Sequence, residues 1–235
     1  MASLAPQPSI YGAAHVYESS AGVILLLGDR NNAAAAIDGQ FLDVDVKHVL
    51  CVTAGSDLKM LRRRAVQAGK EPMLEARPME DMLHEDQVVH VTSDLREHLS
   101  ALERAMFSAA GGEGQGAGQR SPAVLVHCTL GVNRSPTLVL AFLVHSGLTL
   151  RQAYQHVLRT RPGIDPLPGY REALRNFEVE VRGGVSTVEG TEPFAQHLSE
   201  LLTRCDDNID RAEQMRNHSI SNLLDEPACA PSMAG

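Results

Sequence analysis

The sequence predicts an α/β fold, with a central mixed, mainly parallel sheet flanked by helices. Three observations lead there. Short, mainly apolar runs recur at Val23–Leu27, Val49–Thr53, Val88–Val91 and Ala123–Val126, as expected of strands buried on both faces. Turn residues and a stretch with helical period follow these runs in alternation. Beyond the last run the pattern is helical only.

Taken in order, Val23–Leu27 closes on Gly28-Asp29 and leads into a short alanine-rich helix over 31–37. Asp43 to Val46 leads into the strand Val49–Thr53. Ala54-Gly55-Ser56 turns the chain into a helix over 58–68, and the polar, proline-broken stretch 70–81 supports no element. Val88–Val91 reads as the third strand and Thr92-Ser93-Asp94 as a polar turn. Leu99, Leu102, Met106 and Phe107 then mark one apolar helix face. The glycine-rich stretch 111–118 reads as a surface loop and carries no nucleotide-binding pattern. After the strand Ala123–Val126, a helix starts near Ser135-Pro136, where proline suits a first turn, and stops near Ser146-Gly147. Thr149 caps a helix over 150–160, Arg161-Pro162-Gly163 ends it, and a last core helix runs over 170–181 with Leu174 and Phe177 inward. Residues 1–19 read as an N-terminal extension, 20–182 as the domain and 183–191 as a linker. An amphipathic helix over 192–216 reads as a strut, a partner-docking element or a dimer contact, and 217–235 as a disordered tail.

A chain of 235 residues is long enough for one domain with a substantial core. Its 21% charged and 43% hydrophobic residues are an ordinary globular balance. A net charge of −8 argues against a generally basic nucleic-acid surface and leaves a local patch open. With no tryptophan and 4% aromatic residues, base stacking has little support. Cys51, Cys128, Cys205 and Cys229 form no zinc spacing and suggest a reducing compartment with one functional thiol. The first nine residues lack the basic start of a signal peptide, and no apolar run is long enough to span a bilayer. The expectation is a soluble protein of the cytoplasm, with the nucleus also open.

The chemistry concentrates in His127-Cys128-Thr129-Leu130-Gly131-Val132-Asn133-Arg134-Ser135. A cysteine ending a strand and an arginine opening a helix can enclose an anion beside a thiolate. The backbone N–H groups from Thr129 to Arg134 converge in such a turn, the helix N-terminus adds positive potential, and Gly131 permits the backbone geometry. Nearby positive charge lowers a thiol's pKa. Arg134 offers a planar fork for two phosphoryl oxygens, and Ser135 can donate to the cysteine sulfur. His127 suits a supporting role behind the loop. Phosphoryl transfer to sulfur and on to water needs an acid that then turns base. Asp94 follows a strand whose end faces the loop, and Asp29 and Asp57 compete on topology alone. The bland reading, a buried thiol and an unrelated surface arginine, fits an isolated cysteine far better than this whole constellation.

The loop resembles the signature of cysteine-dependent protein phosphatases: His-Cys, five residues, Arg, then Ser or Thr. Ser135-Pro136-Thr137 and the apolar helix after it are similar to the dual-specificity branch. Val23–Gly28, His48–Thr53, Val88–Asp94, and Arg161-Pro162 with Gly169-Tyr170, Leu174, Phe177 and Glu178 resemble other parts of that branch in the expected order, covering roughly 20–182. The resemblance implies a cysteine-phosphatase-like fold with Cys128 as nucleophile, Thr129 to Arg134 as the phosphate-binding loop, Ser135 assisting breakdown of a phosphocysteine and Asp94 as general acid and base. It implies no cofactor and no metal. Two positions depart from the pattern. Asn133 stands where serine is common. Cys51 stands where asparagine is common, and reads as a buried core thiol or as a redox partner for Cys128.

The resemblance further implies phosphotyrosine and phosphoserine or phosphothreonine in proteins as substrates. The neutral side chains of Thr129, Leu130, Val132 and Asn133 disfavour highly phosphorylated ligands. A phosphoinositide phosphatase, an RNA 5′-phosphatase and a non-catalytic phosphate-binding scaffold are the alternatives. Phosphorylated proteins are the expected partners, with no nucleic acid and no membrane insertion.

Overall fold

The computed structural model describes residues 12–80, 91–111 and 119–188. Its strands are β1 (Ala14–Glu18), β2 (Ile24–Gly28), β3 (Val44–Cys51), β4 (Leu74–Ala76) and β5 (Ser121–His127). They form one sheet in the order β1-β2-β5-β3-β4. β1 runs antiparallel to β2, while the pairs β2–β5, β5–β3 and β3–β4 are all parallel. The sheet is therefore mixed and mainly parallel, as the apolar runs predict.

Among the described residues, α1 (Arg30–Ile37), α2 (Gly55–Gln67) and α3 (Val91–Ala110) connect strands, and α4 (Arg134–His145), α5 (Leu150–Thr160) and α6 (Pro168–Arg182) follow the last strand. On one face of the sheet, Ile24, Leu26, Val49, Cys51, Ala123 and Leu125 pack with Ala33, Ile37, Leu58 and Leu61 of α1 and α2. On the other, α4 lies against β2 and β5 and is itself surrounded by α3, α5 and α6. That position explains its sequence, since every residue from Ser135 to Val144 is buried and a helix covered all round is apolar all round. Among the described residues no helix is long and apolar enough to cross a membrane.

Several expectations need correction. β1 belongs to the sheet rather than to an N-terminal extension; it is an edge strand whose half-buried His15 and Tyr17 hide the apolar signal. The proline-broken stretch holds a 3-10 turn, Glu71–Met73, and the three-residue β4, too short to show a period. Val91 and the Thr92-Ser93-Asp94 turn are the first turn of α3, where an acidic residue favours the helix dipole. Residues 88–90 of the expected third strand lie outside the described residues. Phe107 is 84% exposed, because Leu95, Leu99, Leu102 and Met106 already define the inward stripe and the next position rotates off it. Pro168 opens α6 instead of prolonging the irregular connection, as proline at a first helical turn can.

The start of the expected linker is tied down. Glu178, buried in α6, accepts hydrogen bonds from Leu150 N (2.7 Å), Ser186 Oγ (2.7 Å), Thr187 N (2.8 Å) and Thr187 Oγ1 (2.7 Å). Arg151 donates to Thr187 O, and Val188 is buried. The glycine-rich stretch 112–118, the helix expected over 192–216 and the tail 217–235 lie outside the described residues.

Candidate active site

β5 ends at His127 in the middle of the sheet, between β2 and β3, with Gly28 and Cys51 beside it in register. Val52 N extends the pairing by donating to His127 O at 3.0 Å. Cys128 leaves the sheet at the edge where parallel strands end, and α4 begins six residues later. Loop sites at that edge follow from the parallel topology.

The loop from Cys128 to Arg134 folds around the sulfur. Gly131 N donates to Cys128 Sγ at 3.2 Å, and Ser135 Oγ donates to it at 3.2 Å from the first turn of α4. Cys128 is 2% exposed, and burial alone would raise its pKa. The hydrogen bond from Ser135 Oγ, those from the Ser135 and Gly131 backbone N–H groups, and the charge of Arg134 outweigh burial and hold the thiol below its ordinary value. The predicted cysteine, arginine and serine are therefore brought together electrostatically.

Two devices aim the backbone. Gly131 has φ +69°, a conformation that glycine adopts at no steric cost. A Cβ there would lie 2.6 Å from Gly28 O and 2.4 Å from an Arg161 Nη. Arg161, at the end of α5, donates from Nε to Gly131 O at 3.0 Å and from Nη2 to Leu130 O at 3.2 Å. Holding those carbonyls on the outside of the turn leaves the opposed peptide N–H groups for the inside. Its Nη1 donates to Gly12 O at 2.8 Å. Arg161 matters because three distant segments meet on it, which a one-dimensional reading shows only as the helix-ending Arg-Pro-Gly.

Thr53 is the second residue that sequence reading missed. It is 2% exposed, and its Oγ1 lies 3.1 Å from Thr129 Oγ1, which accepts from Arg134 Nη2 at 3.4 Å. This chain of hydroxyls links the end of β3 to the arginine. Asn133 gives no side-chain cap to α4. Its Oδ1 accepts from Leu167 N at 2.9 Å, and Asp165 N donates to Val132 O at 2.7 Å, so the loop is braced by the connection before α6. That bracing gives the departure at Asn133 a structural role. Leu130 is 67% exposed and contributes its backbone.

His127 is fully buried; Nδ1 donates to Cys128 O at 3.2 Å, and Nε2 has no partner among the described residues. Burial pushes its pKa down to about 4, so the imidazole is neutral near pH 7 and acts as a packed support. Cys51 is fully buried on β3, its Sγ 3.6 Å from Thr53 O, and burial pushes its thiol up to about 11. Both cysteines are free thiols.

Asp94 sits exposed in the first turn of α3. His98, one turn on, faces Asp94 O at 2.5 Å and Arg77 O at 3.0 Å with its two ring nitrogens. This pins that turn to the segment after β4. The competing carboxylates are engaged elsewhere. Asp29 caps α1 by accepting from Asn31 N and Asn32 N, and Asp57 pairs with Arg30 at 3.3 Å. Among the described residues, no group of three or more His, Cys, Asp and Glu side chains gathers as metal ligands would.

Residues 31–180 match the family model described as dual specificity phosphatase, catalytic domain. Dual specificity protein phosphatase Mpk3 of Drosophila melanogaster is 29% identical over 161 residues, 68% of this chain and 33% of that protein. Human dual specificity phosphatase 28 is 35% identical over 101 residues, 43% of this chain and 52% of that protein. Each match takes in less than two thirds of the relative's own length. Among solved structures, human DUSP28 aligns with a TM-score of 0.49 at 23% identity, covering 76% of this chain and 97% of that one.

Proposed function

The chain belongs to the dual specificity phosphatase family, and from that premise we propose that it hydrolyses phosphotyrosine and phosphoserine or phosphothreonine in proteins through a phosphocysteine at Cys128. One observation carries the reading: a sulfur at the base of a backbone turn, accepting hydrogen bonds from Gly131 N and Ser135 Oγ at 3.2 Å each.

In the first step the Cys128 thiolate attacks phosphorus, a P–S bond forms and the P–O bond to the side-chain oxygen breaks. Arg134 and the loop N–H groups from Thr129 to Arg134 meet the equatorial oxygens, whose charge a preformed set of donors stabilises best in the transition state. Asp94 gives its proton to the departing oxygen. In the second step Asp94 takes a proton from water, the water oxygen bonds phosphorus, and the P–S bond breaks. Ser135 Oγ donates to the sulfur as it regains negative charge. Asp94 is favoured because Asp29 and Asp57 already have structural partners. His127 supports Cys128 O and touches no reacting atom. The neutral loop side chains favour a single phosphoryl group on a protein over a phosphoinositide or an RNA 5′ end.

Replacing Cys128 by Ser should lower turnover of an aryl phosphate by about a thousandfold or more. Equal rates for the variant and the parent would remove the cysteine mechanism. Asp94→Ala should cost about 10²- to 10⁴-fold on phosphoserine peptides, whose leaving group needs a proton, and much less on an activated aryl ester. Phosphopeptides compared with a phosphoinositide and a 5′-phosphorylated RNA test the substrate class, and faster hydrolysis of either alternative would overturn it.

A further inference from the structure

Outside the loop, the most distinctive feature is a groove of about 730 Å³ along α2, lined by Asp38, Lys59, Met60, Arg63, Arg64 and Gln67. The α2 residues are spaced three and four apart, so they form one face of the helix. Its only lining carboxylate, Asp38, is already neutralised. Arg64 grips it with two hydrogen bonds, one of 2.7 Å from Nε, and Lys70 lies near enough to lower its pKa further. Lys59 and Arg63 are exposed, and neither has a carboxylate partner among the described residues. Like charges four apart on a helix repel. In a chain of net charge −8, this face keeps side by side two cations that have no carboxylate partner among the described residues.

Its position gives the groove meaning. β3 ends beside the catalytic loop, with Thr53 Oγ1 3.1 Å from Thr129 Oγ1, and α2 begins at Gly55 on that same sheet edge. Asp57 in the first turn of α2 pairs with Arg30, whose N–H donates to Thr129 O at 3.3 Å. From that edge α2 runs back along the sheet toward the start of parallel β4.

We propose that the α2 groove binds acidic residues of the polypeptide whose phosphorylated side chain occupies the loop, making this a phosphatase for phosphosites with acidic flanks. This rests on the phosphatase reading above. At 1.5 Å of rise per residue, Lys59 and Arg63 stand about 6 and 12 Å along the helix from Gly55. An extended peptide at about 3.3 Å per residue spans that distance in a few residues, so the acidic positions fall within about three to six of the phosphoresidue. A peptide can follow a groove that runs along α2 from Ser56, beside the helix start, to Gln67, whereas a membrane surface is flat and the chain as a whole repels anionic bilayers and nucleic acid. The Met60 side chain, 43% exposed, supplies an apolar wall for the aliphatic parts of such a peptide.

The test compares the full chain with Lys59→Gln/Arg63→Gln, using an aryl phosphate and a phosphopeptide series with acidic or neutral residues before or after the phosphoresidue. The parent should prefer one acidic set, through KM and only at low salt, and the variant should lose about fivefold of that preference while its aryl phosphate and neutral-peptide rates stay unchanged. Equal KM values for acidic and neutral peptides with the parent would overturn the proposal while leaving the phosphatase reading intact. Failure of the aryl phosphate reaction would instead remove the phosphatase reading. Binding of the acidic peptide to a Cys128→Ser chain, by fluorescence anisotropy, would then still judge the groove. If phosphatidylserine vesicles depend on Lys59 and Arg63 and acidic peptides do not, the groove is a lipid contact and the proposal fails.

Discussion

At the scale of single residues, the site depends on how few alternatives each position has. Gly131 is the clearest case. Any side chain there would press on Gly28 O and Arg161 while holding an unfavourable positive φ. Gly131→Ala should reshape the loop and lower kcat/KM by about a hundredfold or more, since misplacement on the order of 1 Å is that costly; a purified variant of normal melting temperature and normal kcat/KM would refute this. Cys51, with its thiol pushed up to about 11 by burial, is overwhelmingly protonated near pH 7 and a poor attacking group. Peptide mapping after mild peroxide should therefore show oxidised Cys128 without a Cys51–Cys128 crosslink, and recovery of that crosslink would make Cys51 a redox partner. The grouping of Cys128, Arg134 and Ser135 around one turn was legible because their spacing between a strand and a helix dictates it. Thr53 and Arg161 were not, because their roles exist only once the end of β3 and the end of α5 have been folded against the loop.

At the scale of elements, caps and buried acceptors set the joints. Thr149 accepts from Gln152 N, and Gln152 Oε1 accepts from Thr149 N at 2.9 Å, closing a capping box at the start of α5. Thr149→Ala should cost about 1 kcal/mol of unfolding free energy, as read from urea titration. Glu178 fastens α6 to the start of α5 and to 186–187. The hydrogen bonds to its carboxylate outweigh burial and lower its pKa from 4.5. A group whose folded pKa is depressed contributes stability above its unfolded pKa and loses it as pH falls through the folded value. Stability should thus fall below about pH 4.5, and Glu178→Gln should flatten that part of the pH profile; an unchanged acid limb would refute the assignment. Strands β2 and β5 and the buried end of β3, Val49–Cys51, were legible because burial on both faces leaves apolar runs, whereas the half-buried Val44–His48 start of β3 was read only as a lead-in. β1 and β4 escaped because an edge strand alternates with polar residues and a three-residue strand has no period to read.

For the whole molecule, the fold class followed from the alternation of strands and helices, whereas the domain boundary did not. Gly183-Gly184 reads as a linker, yet Ser186 and Thr187 donate to the Glu178 carboxylate, Thr187 O accepts from Arg151 at the start of α5, and Val188 is buried. A chain ending at Arg182 should therefore unfold at lower temperature than one ending at Val188, by several degrees for a loss of about 2 kcal/mol; equal midpoints would return 183–188 to linker status.

Arg161 has a consequence for the order of assembly. Its guanidinium joins Gly12 to the turn at Leu130 and Gly131, a contact spanning 149 residues on one side and 30 on the other. Contacts of such separation close late, because the intervening chain must first lose its freedom. The sheet and α4 can form before the N-terminal edge and the end of α5 have docked, but the turn cannot keep its carbonyls outward until they have. During refolding, catalytic competence should accordingly lag behind the return of helical signal, and Arg161→Ala should abolish the late phase along with the activity it brings.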